Sequence, residues 1–516
     1  MLGRGGSPRE NLMPIKPGFD SNKYLEEQSA AILERVGRFK KLYIEFGGKL
    51  IFDYHAARVL PGFEPNGKVQ LLQKLKDQAE IILCIYAGDI ERKKMRADFG
   101  ITYDVDAMKL IDDLRDWGLS VCAVVLTRFQ ENQQGAISFR NKLERRGVRV
   151  YTHKHTRGYP SDVDLICSGE GYGANPYVET TKPLVVITGP GPGSGKLATC
   201  LCQLYHEHQR GLHAGYAKFE TFPIWNLPLK HPVNVAYEAA TADIRDFNII
   251  DPFHLEAYGK TAINYNRDVD AFPLLRRILG RLMGKDIYRS PTDMGVNRAG
   301  FAIVDDAAVQ EAAKQEVIRR YFRYSCEYAM GLADQETVER VGRLLDELGV
   351  KPEDRCVVEP ARRAADEARE TGKGRHGIYC GASLELKDGT MITGKNSPLL
   401  HAASSLILNA IKQLAEIPDK IHLLPPAITQ SIATLKQDIL NKKDTNLDVE
   451  EMLIALSISA MTNPAAQLSM EKLKDLQGCE LHLTHMPTSG DEAGLRRLGV
   501  NLTSDAKFAT KDLFAG

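Results

Sequence analysis

Lys196, with Gly191, Gly193, Ser194 and Gly195 just ahead of it, has the residue types and spacing to hold an anion. The surrounding stretch, Leu184 to Gln203, reads LVVITGPGPGSGKLATCLCQ. Leu184 to Ile187 is a short apolar run rich in β-branched residues, which predicts a buried strand. The alternation of Gly and Pro that follows forces a sharp turn. From Lys196 onward, Leu197, Leu201 and Leu204 recur at helical spacing. A helix N-terminus fed by a Gly-rich loop presents unpaired N–H groups and the positive end of the helix dipole. Lys196 adds a full positive charge. The chemistry this predicts is phosphate binding, with Lys196 as the first candidate catalytic residue.

The pattern is similar to the phosphate-binding loop GxxxxGK[ST], with two departures. Pro190 stands where the leading Gly belongs, and Leu197 where a Ser or Thr would ligate Mg²⁺. Pro190 and Pro192 have no N–H to donate. The amides of Gly191, Gly193, Ser194, Gly195, Lys196 and Leu197 remain, enough for a nest around one phosphate. The competing expectation is a rigid strand-to-helix turn with a surface lysine.

A Mg-nucleotide site also needs carboxylates at strand ends facing the loop. Two apolar runs end that way, Phe247 to Asp251 and Phe301 to Asp305-Asp306. Asp251, Asp305 and Asp306 are therefore the candidate metal ligands. Thr188, Ser194 or Thr199 would supply the hydroxyl that Leu197 lacks. Asp251 before Pro252, and Asp306 before a long helical stretch, predict helix N-caps equally well. Asp305 and Asp268 join Lys196 as candidate catalytic residues. Asp268 lies in the polar cluster Asn264 to Asp270, where Arg267 could pair a second phosphate or form a surface salt bridge. The cofactor expected is ATP or another phosphorylated ligand, with Mg²⁺.

Zinc is not expected. HExxH is absent from the chain. His206 and His208 sit two apart on a predicted helix and face nearly opposite sides. His153 and His155 flank Lys154 on a predicted strand, where they face one side, as metal or phosphate ligands or simply as an exposed edge. His482 and His485 have no obvious third ligand.

These groups need a frame to hold them. Between Lys41 and Phe222, strand-like and helix-like segments alternate, with strands at Leu42–Phe46, Ala79–Ala87, Ser120–Leu126, Val148–Thr152, Leu184–Thr188 and His213–Phe219. Amphipathic helices are expected at Asp106–Trp117 and Phe139–Arg146. Such βαβ alternation predicts an α/β fold, a parallel sheet of Rossmann or P-loop-like type with helices on both faces. Ligands in that architecture sit beyond the carboxyl ends of the strands, where the loop lies. Gly47-Gly48-Lys49 and Ser168–Gly173 also fall at strand ends, as site loops or as plain turns.

With 516 residues, the chain is expected to hold about three domains. Residues 1–16 read as a disordered tail and 17–222 as the α/β phosphate-binding domain. Residues 223–332 read as a mainly helical middle region, and 333–516 as a second α/β domain. That last part contains a hairpin signal at Lys387-Asp388-Gly389, helices at His401–Ala415 and Thr429–Asn441, and strands at Ile421–Leu424 and Glu480–Leu483. Lys+Arg and Asp+Glu are both 67, so net charge gives no global drive toward nucleic acid. Nine dispersed Cys without a CxxC pair suggest reduced thiols. No run has the apolar length of a membrane span, and the N-terminus lacks a signal-peptide core. The expectation is a cytoplasmic protein with no membrane or nucleic-acid partner.

The segments EFGGK (Glu45–Lys49), DYHAARVLPG (Asp53–Gly62), PGPGSGKLATC (Pro190–Cys200), YAKFETFPIWNLPL (Tyr216–Leu229), NYNRDVDAFP (Asn264–Pro273) and SPTDMGVN (Ser290–Asn297) resemble a bacterial family. It is known as domain of unknown function 1846, and the resemblance runs from about Gly18 over nearly the whole chain. It implies an N-terminal α/β portion, a helical middle and a C-terminal subdomain. Members are sometimes labelled ATP-dependent zinc peptidases; the residues here support the phosphate half of that label and not the zinc half. The hairpin followed by His401-Ala402-Ala403 and Pro425-Pro426-Ala427 is also similar to the cytidine-deaminase-like fold. Ala403 stands where that motif has its Glu, and Ala427 and Gln430 where it has its two Cys, so the zinc chemistry is not retained. Two functions follow as expectations. One is a phosphotransferase or NTPase acting on a phosphorylated small molecule. The other is a non-catalytic phospholigand sensor or homo-oligomeric assembly protein with a degenerate deaminase-like C-terminal domain.

Overall fold

The computed structural model describes residues 17–96, 100–284 and 287–510. The expected disordered tail, residues 1–16, lies outside the described residues. The chain divides into two compact units at Ala313–Lys314.

The strands of the first unit are β1 (Lys41–Phe46), β2 (Ala79–Tyr86), β3 (Met95–Arg96), β4 (Ile101–Thr102), β5 (Val121–Thr127), β6 (Val150–His153), β7 (Leu184–Thr188), β8 (Ala214–Phe219), β9 (Asn248–Ile250), β10 (Ile263–Tyr265) and β11 (Gly295–Val296). Seven of them form one sheet in the order β11-β8-β1-β7-β2-β5-β6. Every neighbouring pair in it is parallel. The pairs β3/β4 and β9/β10 are separate antiparallel ribbons.

The near-continuous apolar runs of the central strands fit burial on both faces. On one face Ile82, Cys84, Val185 and Ile187 pack under helices Lys196–Gln209 and Asn266–Met283. On the other, Leu83, Ile85, Val124 and Leu126 pack against helices Tyr103–Asp116 and Gln134–Glu144. From β7 the chain crosses β1 to reach β8, whereas from β2 it moves the opposite way to β5. β7 and β2 are neighbours whose connections run in opposite directions, the switch point at whose carboxyl ends open α/β sheets commonly bind ligands.

The compositional shift at Pro223 changes the surface without ending the unit. Helix Asn266–Met283 packs Phe272, Leu275, Ile278, Leu279 and Leu282 into the core that helix Lys196–Gln209 forms with the sheet, and β11 extends the sheet beside β8. The compact unit therefore runs on to Ala313. Phe301 to Ile303, read as an apolar run leading to Asp305, is not a strand; a short 3-10 turn occupies Ala299–Ala302.

In the second unit, β12 (Gly381–Glu385), β13 (Met391–Lys395), β14 (Glu480–Leu483) and β15 (Asn501–Ser504) form a sheet in the order β13-β12-β14-β15. β12 is antiparallel to both neighbours, and β14 and β15 are parallel. Helices approach both faces closely. A Cβ on Gly381 would lie 2.2 Å from the Ala361 carbonyl of helix Val358–Glu370, and one on Gly394 would lie 2.4 Å from the Leu406 amide of helix Ala402–Leu414. Ile421–Leu424 forms no strand; it is a bend in which Ile421 is exposed. The helix expected from Thr429 starts earlier, at Pro426, and widens into a π-helical turn over Leu435–Ile439. Among the described residues, no helix is long and apolar enough to cross a membrane.

Candidate functional site

The Gly-Pro loop joins β7 to helix Lys196–Gln209 at the carboxyl end of the sheet. Gly193 and Gly195 take left-handed backbone conformations, with φ of 72° and 91°. Side chains at the end of β5 collect the loop's carbonyls. The Thr127 hydroxyl donates to the Ser194 carbonyl at 2.8 Å, and the Arg128 guanidinium donates to that of Gly193 at 2.6 Å. Arg128 is itself stacked 3.5 Å over the Tyr86 ring. With those carbonyls drawn to one side, the amides of Gly191, Gly193, Gly195, Lys196 and Leu197 meet no acceptor among the described residues. Lys196 is half-buried and has no carboxylate partner among the described residues. Its Nζ makes only long contacts, 3.3 Å to the Gly191 carbonyl and 3.4 Å to Ser194 Oγ. Thr188 Oγ1 is buried without a hydrogen-bond partner. Thr199 faces inward, donating to the Gly195 carbonyl at 3.1 Å and accepting from Cys84 Sγ at 3.3 Å.

The loop's conformation depends on Gly195. A Cβ there would sit 2.7 Å from the Thr127 side chain, in a backbone region that L-residues avoid. Gly195→Ala is expected to cost about 1–3 kcal/mol of stability and to displace the loop. Gly193→Ala, which meets nothing within 4 Å, carries only the backbone cost of about 1–2 kcal/mol. Equilibrium unfolding of the two variants checks the difference.

The acidic candidates separate into two groups. Asp251 caps helix Pro252–Tyr258 through the His254 amide at 3.0 Å, and its second oxygen accepts from the Thr292 amide and hydroxyl at 3.2 and 2.7 Å. Asp305 caps the next long helix through the Ala308 amide at 3.1 Å. Asp306 pairs with His231 at 3.0 Å and accepts from Gln310 at 2.7 Å. Among the described residues, no hydrogen bond or ion pair joins these three to the loop.

Asp268 is placed differently. On the first turn of helix Asn266–Met283, it is ion-paired to Lys218 of β8. Lys218 Nζ also lies 2.7 Å from Glu220 Oε1, yet off the directions that make a hydrogen bond, so that buried oxygen is left without one. Burial opposes the charge on Lys218, but Asp268 and Glu220 outweigh it and hold the ammonium well above its usual range. Burial pushes the Glu220 carboxyl up to about 7, against the pull of Lys218 and with the help of Asp268. Glu45 of β1 stands in register with Ile187 of β7 and Lys218 of β8, and accepts from the Tyr216 hydroxyl at 3.1 Å. Cys200, on the loop helix, feels both the Glu45 carboxylate and the Lys196 ammonium. The loop and the Glu45–Lys218–Glu220–Asp268 group therefore share one end and one face of the sheet. Of this group only Asp268 was singled out from sequence. The signal for the others was present: Glu45, Lys218 and Glu220 are polar residues at the carboxyl ends of otherwise apolar strands.

Other segments are packed. Ser168 Oγ donates to the Leu165 carbonyl at 2.7 Å and Tyr172 is buried, which makes Ser168–Gly173 a fixed turn. His153 closes β6, buried, with Nε2 3.1 Å from the Pro176 carbonyl, and burial lowers its pKa to about 4. His155 lies beyond the strand end. After β1, Asp53 and Lys68 form a buried ion pair of 2.8 Å. In the second unit, His401 precedes helix Ala402–Leu414, its Nδ1 2.7 Å from Asp491 and its Nε2 3.0 Å from Asp444.

The family description "Domain of unknown function DUF1846, N-terminal" matches residues 17–349, and its C-terminal counterpart matches residues 353–514. A "UPF0371 protein" of Clostridium botulinum (strain Langeland / NCTC 10281 / Type F) is 56% identical over 501 residues, covering 97% of this chain and 99% of that one. A protein of the same description from Clostridium tetani (strain Massachusetts / E88) is 55% identical over the same span, with the same coverage. With both halves matched and relatives this similar along their whole length, the chain belongs to the DUF1846 family.

Proposed function

We propose that the protein binds a phosphorylated small molecule at the Gly-Pro loop. The observation that carries this reading is the loop's set of amides without internal acceptors, beside a lysine without a carboxylate partner. Amides at the start of a helix that no internal acceptor occupies are open to water or to an anion, and the adjacent ammonium favours the anion. The divergent connections of β7 and β2 favour a Rossmann or P-loop-like role for this end of the sheet.

The residues fit phosphate better than Mg-ATP. Leu197 brings no hydroxyl, Thr199 is turned into the core, and Asp251 and Asp305 serve as caps. The ligand in this reading is held by amides and Lys196 without a metal ion from those carboxylates. Asp268 then acts within the Lys218 group rather than on a nucleotide metal. Whether turnover follows binding separates an enzyme from a sensor. The second unit is read as a binding or oligomerisation module of degenerate deaminase-like type, since Ala403, Ala427 and Gln430 offer no zinc chemistry. The setting proposed is cytoplasmic.

Thermal unfolding with inorganic phosphate, ribose 5-phosphate and ATP, each with and without Mg²⁺, tests this. A ligand at a hundred times its Kd adds about 2.7 kcal/mol to the parent protein. We expect metal-independent stabilisation by at least one phosphate, weakened about 10- to 100-fold in affinity by Lys196→Ala, the loss of a charged hydrogen bond. Absence of stabilisation by every anion would refute the reading.

A further inference from the structure

We propose that Glu45, Lys218, Glu220 and Asp268 form the second half of the same site and bind the hydroxyl groups of a phosphorylated sugar. The inference rests on the phosphate reading of the loop and names what the phosphate is attached to.

Placement is the first argument. β1 lies between β7 and β8, with Glu45 in register with Ile187 on one side and Lys218 on the other. Neighbouring strands are about 4.8 Å apart. The carboxylate group therefore begins one strand from the loop, on the face where the loop helix and helix Asn266–Met283 both start. A ligand whose phosphate rests on the loop amides reaches Glu45 first, then Lys218 and Glu220.

Chemistry is the second. Ionised carboxylates only accept hydrogen bonds, and a sugar ring offers several donors in a row. Glu220 Oε1 is a buried acceptor without a hydrogen bond, on a side chain only 10% exposed. The atom has the Lys218 ammonium beside it but no donor aligned with it, and a ligand hydroxyl would supply that aligned hydrogen bond. Lys218 joins Glu220 and Asp268 and fills, with an ammonium fixed to the chain, the place a metal ion would otherwise take between two acids. The same ammonium donates to a ring or hydroxyl oxygen, so the group presents both acceptors and a donor. Lys218 and Asp268 are 18% and 22% exposed, so the cluster is open enough to meet a ligand.

Isothermal titration of the full chain with inorganic phosphate, ribose 5-phosphate and phosphoethanolamine tests this. The parent is expected to bind ribose 5-phosphate at least about 10-fold more tightly than inorganic phosphate, the worth of one or two hydrogen bonds to charged groups. Glu220→Gln and, independently, Glu45→Gln should remove most of that preference while inorganic phosphate affinity stays as in the parent. Glu45 has no ion pair among the described residues, so its variant keeps the fold if Glu220→Gln does not. Equal affinity for the sugar phosphate and inorganic phosphate, or a preference that survives both substitutions, overturns the inference and leaves the phosphate reading standing. A stronger preference for phosphoethanolamine would overturn it too, by assigning the acids to an amine. Failure of inorganic phosphate and sugar phosphate alike to bind refutes the phosphate reading itself.

Discussion

Lys68→Met is expected to destabilise the first unit by about 3–5 kcal/mol, the usual cost of stripping one partner from a buried ion pair. The side chains of Lys68 and Asp53 are 2% and 9% exposed, with Nζ 2.8 Å from Oδ2. Burial opposes ionisation of Asp53, but the adjacent ammonium outweighs it and holds the carboxyl below its usual range. Asp53 also caps helix Tyr54–Val59, since its Oδ1 accepts from the Ala56 amide at 3.2 Å. Removing Lys68 leaves a carboxylate that must either stay charged in the interior or take up a proton. The pair also anchors the segment after β1, since Lys68 reaches the Gly47 carbonyl at 3.5 Å. Chemical denaturation reads the loss. The double variant Lys68→Met/Asp53→Asn should recover part of it, because no charge is then left buried. A single variant as stable as the parent would show that water or another cation serves Asp53.

The second large effect is a pH dependence in the C-terminal unit. Burial disfavours the His401 imidazolium, yet hydrogen bonds and charge from Asp444 and Asp491 outweigh burial and lift its pKa to about 10. The unfolded chain protonates the same ring near 6.5. The folded value is the higher one, so the stabilisation is complete below about pH 6.5 and disappears as the pH rises through about 10. At about 1.4 kcal/mol per pKa unit the full linkage is about 5 kcal/mol. Asp444 is half-exposed and its share is screened, which leaves about 2–4 kcal/mol. His401→Gln should be less stable than the parent at pH 6, and the two should converge by pH 10. Parallel stability curves across that range would contradict the assignment.

Much of the frame is legible in the sequence. The apolar runs read as strands at Leu184–Thr188 and Ala79–Ala87 are central strands, the second ending at Tyr86, with the expected parallel pairing. Their residues are buried on both faces, and burial is what an apolar run records. The hairpin around Lys387-Asp388-Gly389 formed for a similarly local reason, turn residues between two strand-forming runs. Ile421–Leu424 forms no strand because three apolar residues around His422 do not specify one without a neighbour to pair with. Helix Asn266–Met283 falls in the region read as mainly helical, but its place in the core beneath the loop helix is not legible, since an amphipathic stripe does not name its partner.

The site was legible in part. Lys196 and the loop glycines could be found because a phosphate loop is contiguous in sequence. Asp268 was found as a member of a polar cluster, without its partner. Glu45, Lys218 and Glu220 are separated in sequence and joined only by strand register. A carboxylate before a helix reads alike as cap and as metal ligand, and only contacts such as Thr292 on Asp251 distinguish how its oxygens are used.

The most direct measurement is a diffraction experiment on crystals grown with tungstate, an electron-dense phosphate analogue. The account predicts a tungstate whose oxygens lie about 2.7–3.2 Å from amide nitrogens of the loop and from Lys196 Nζ. Tungstate bound elsewhere at saturating concentration, with nothing on the loop, would contradict it.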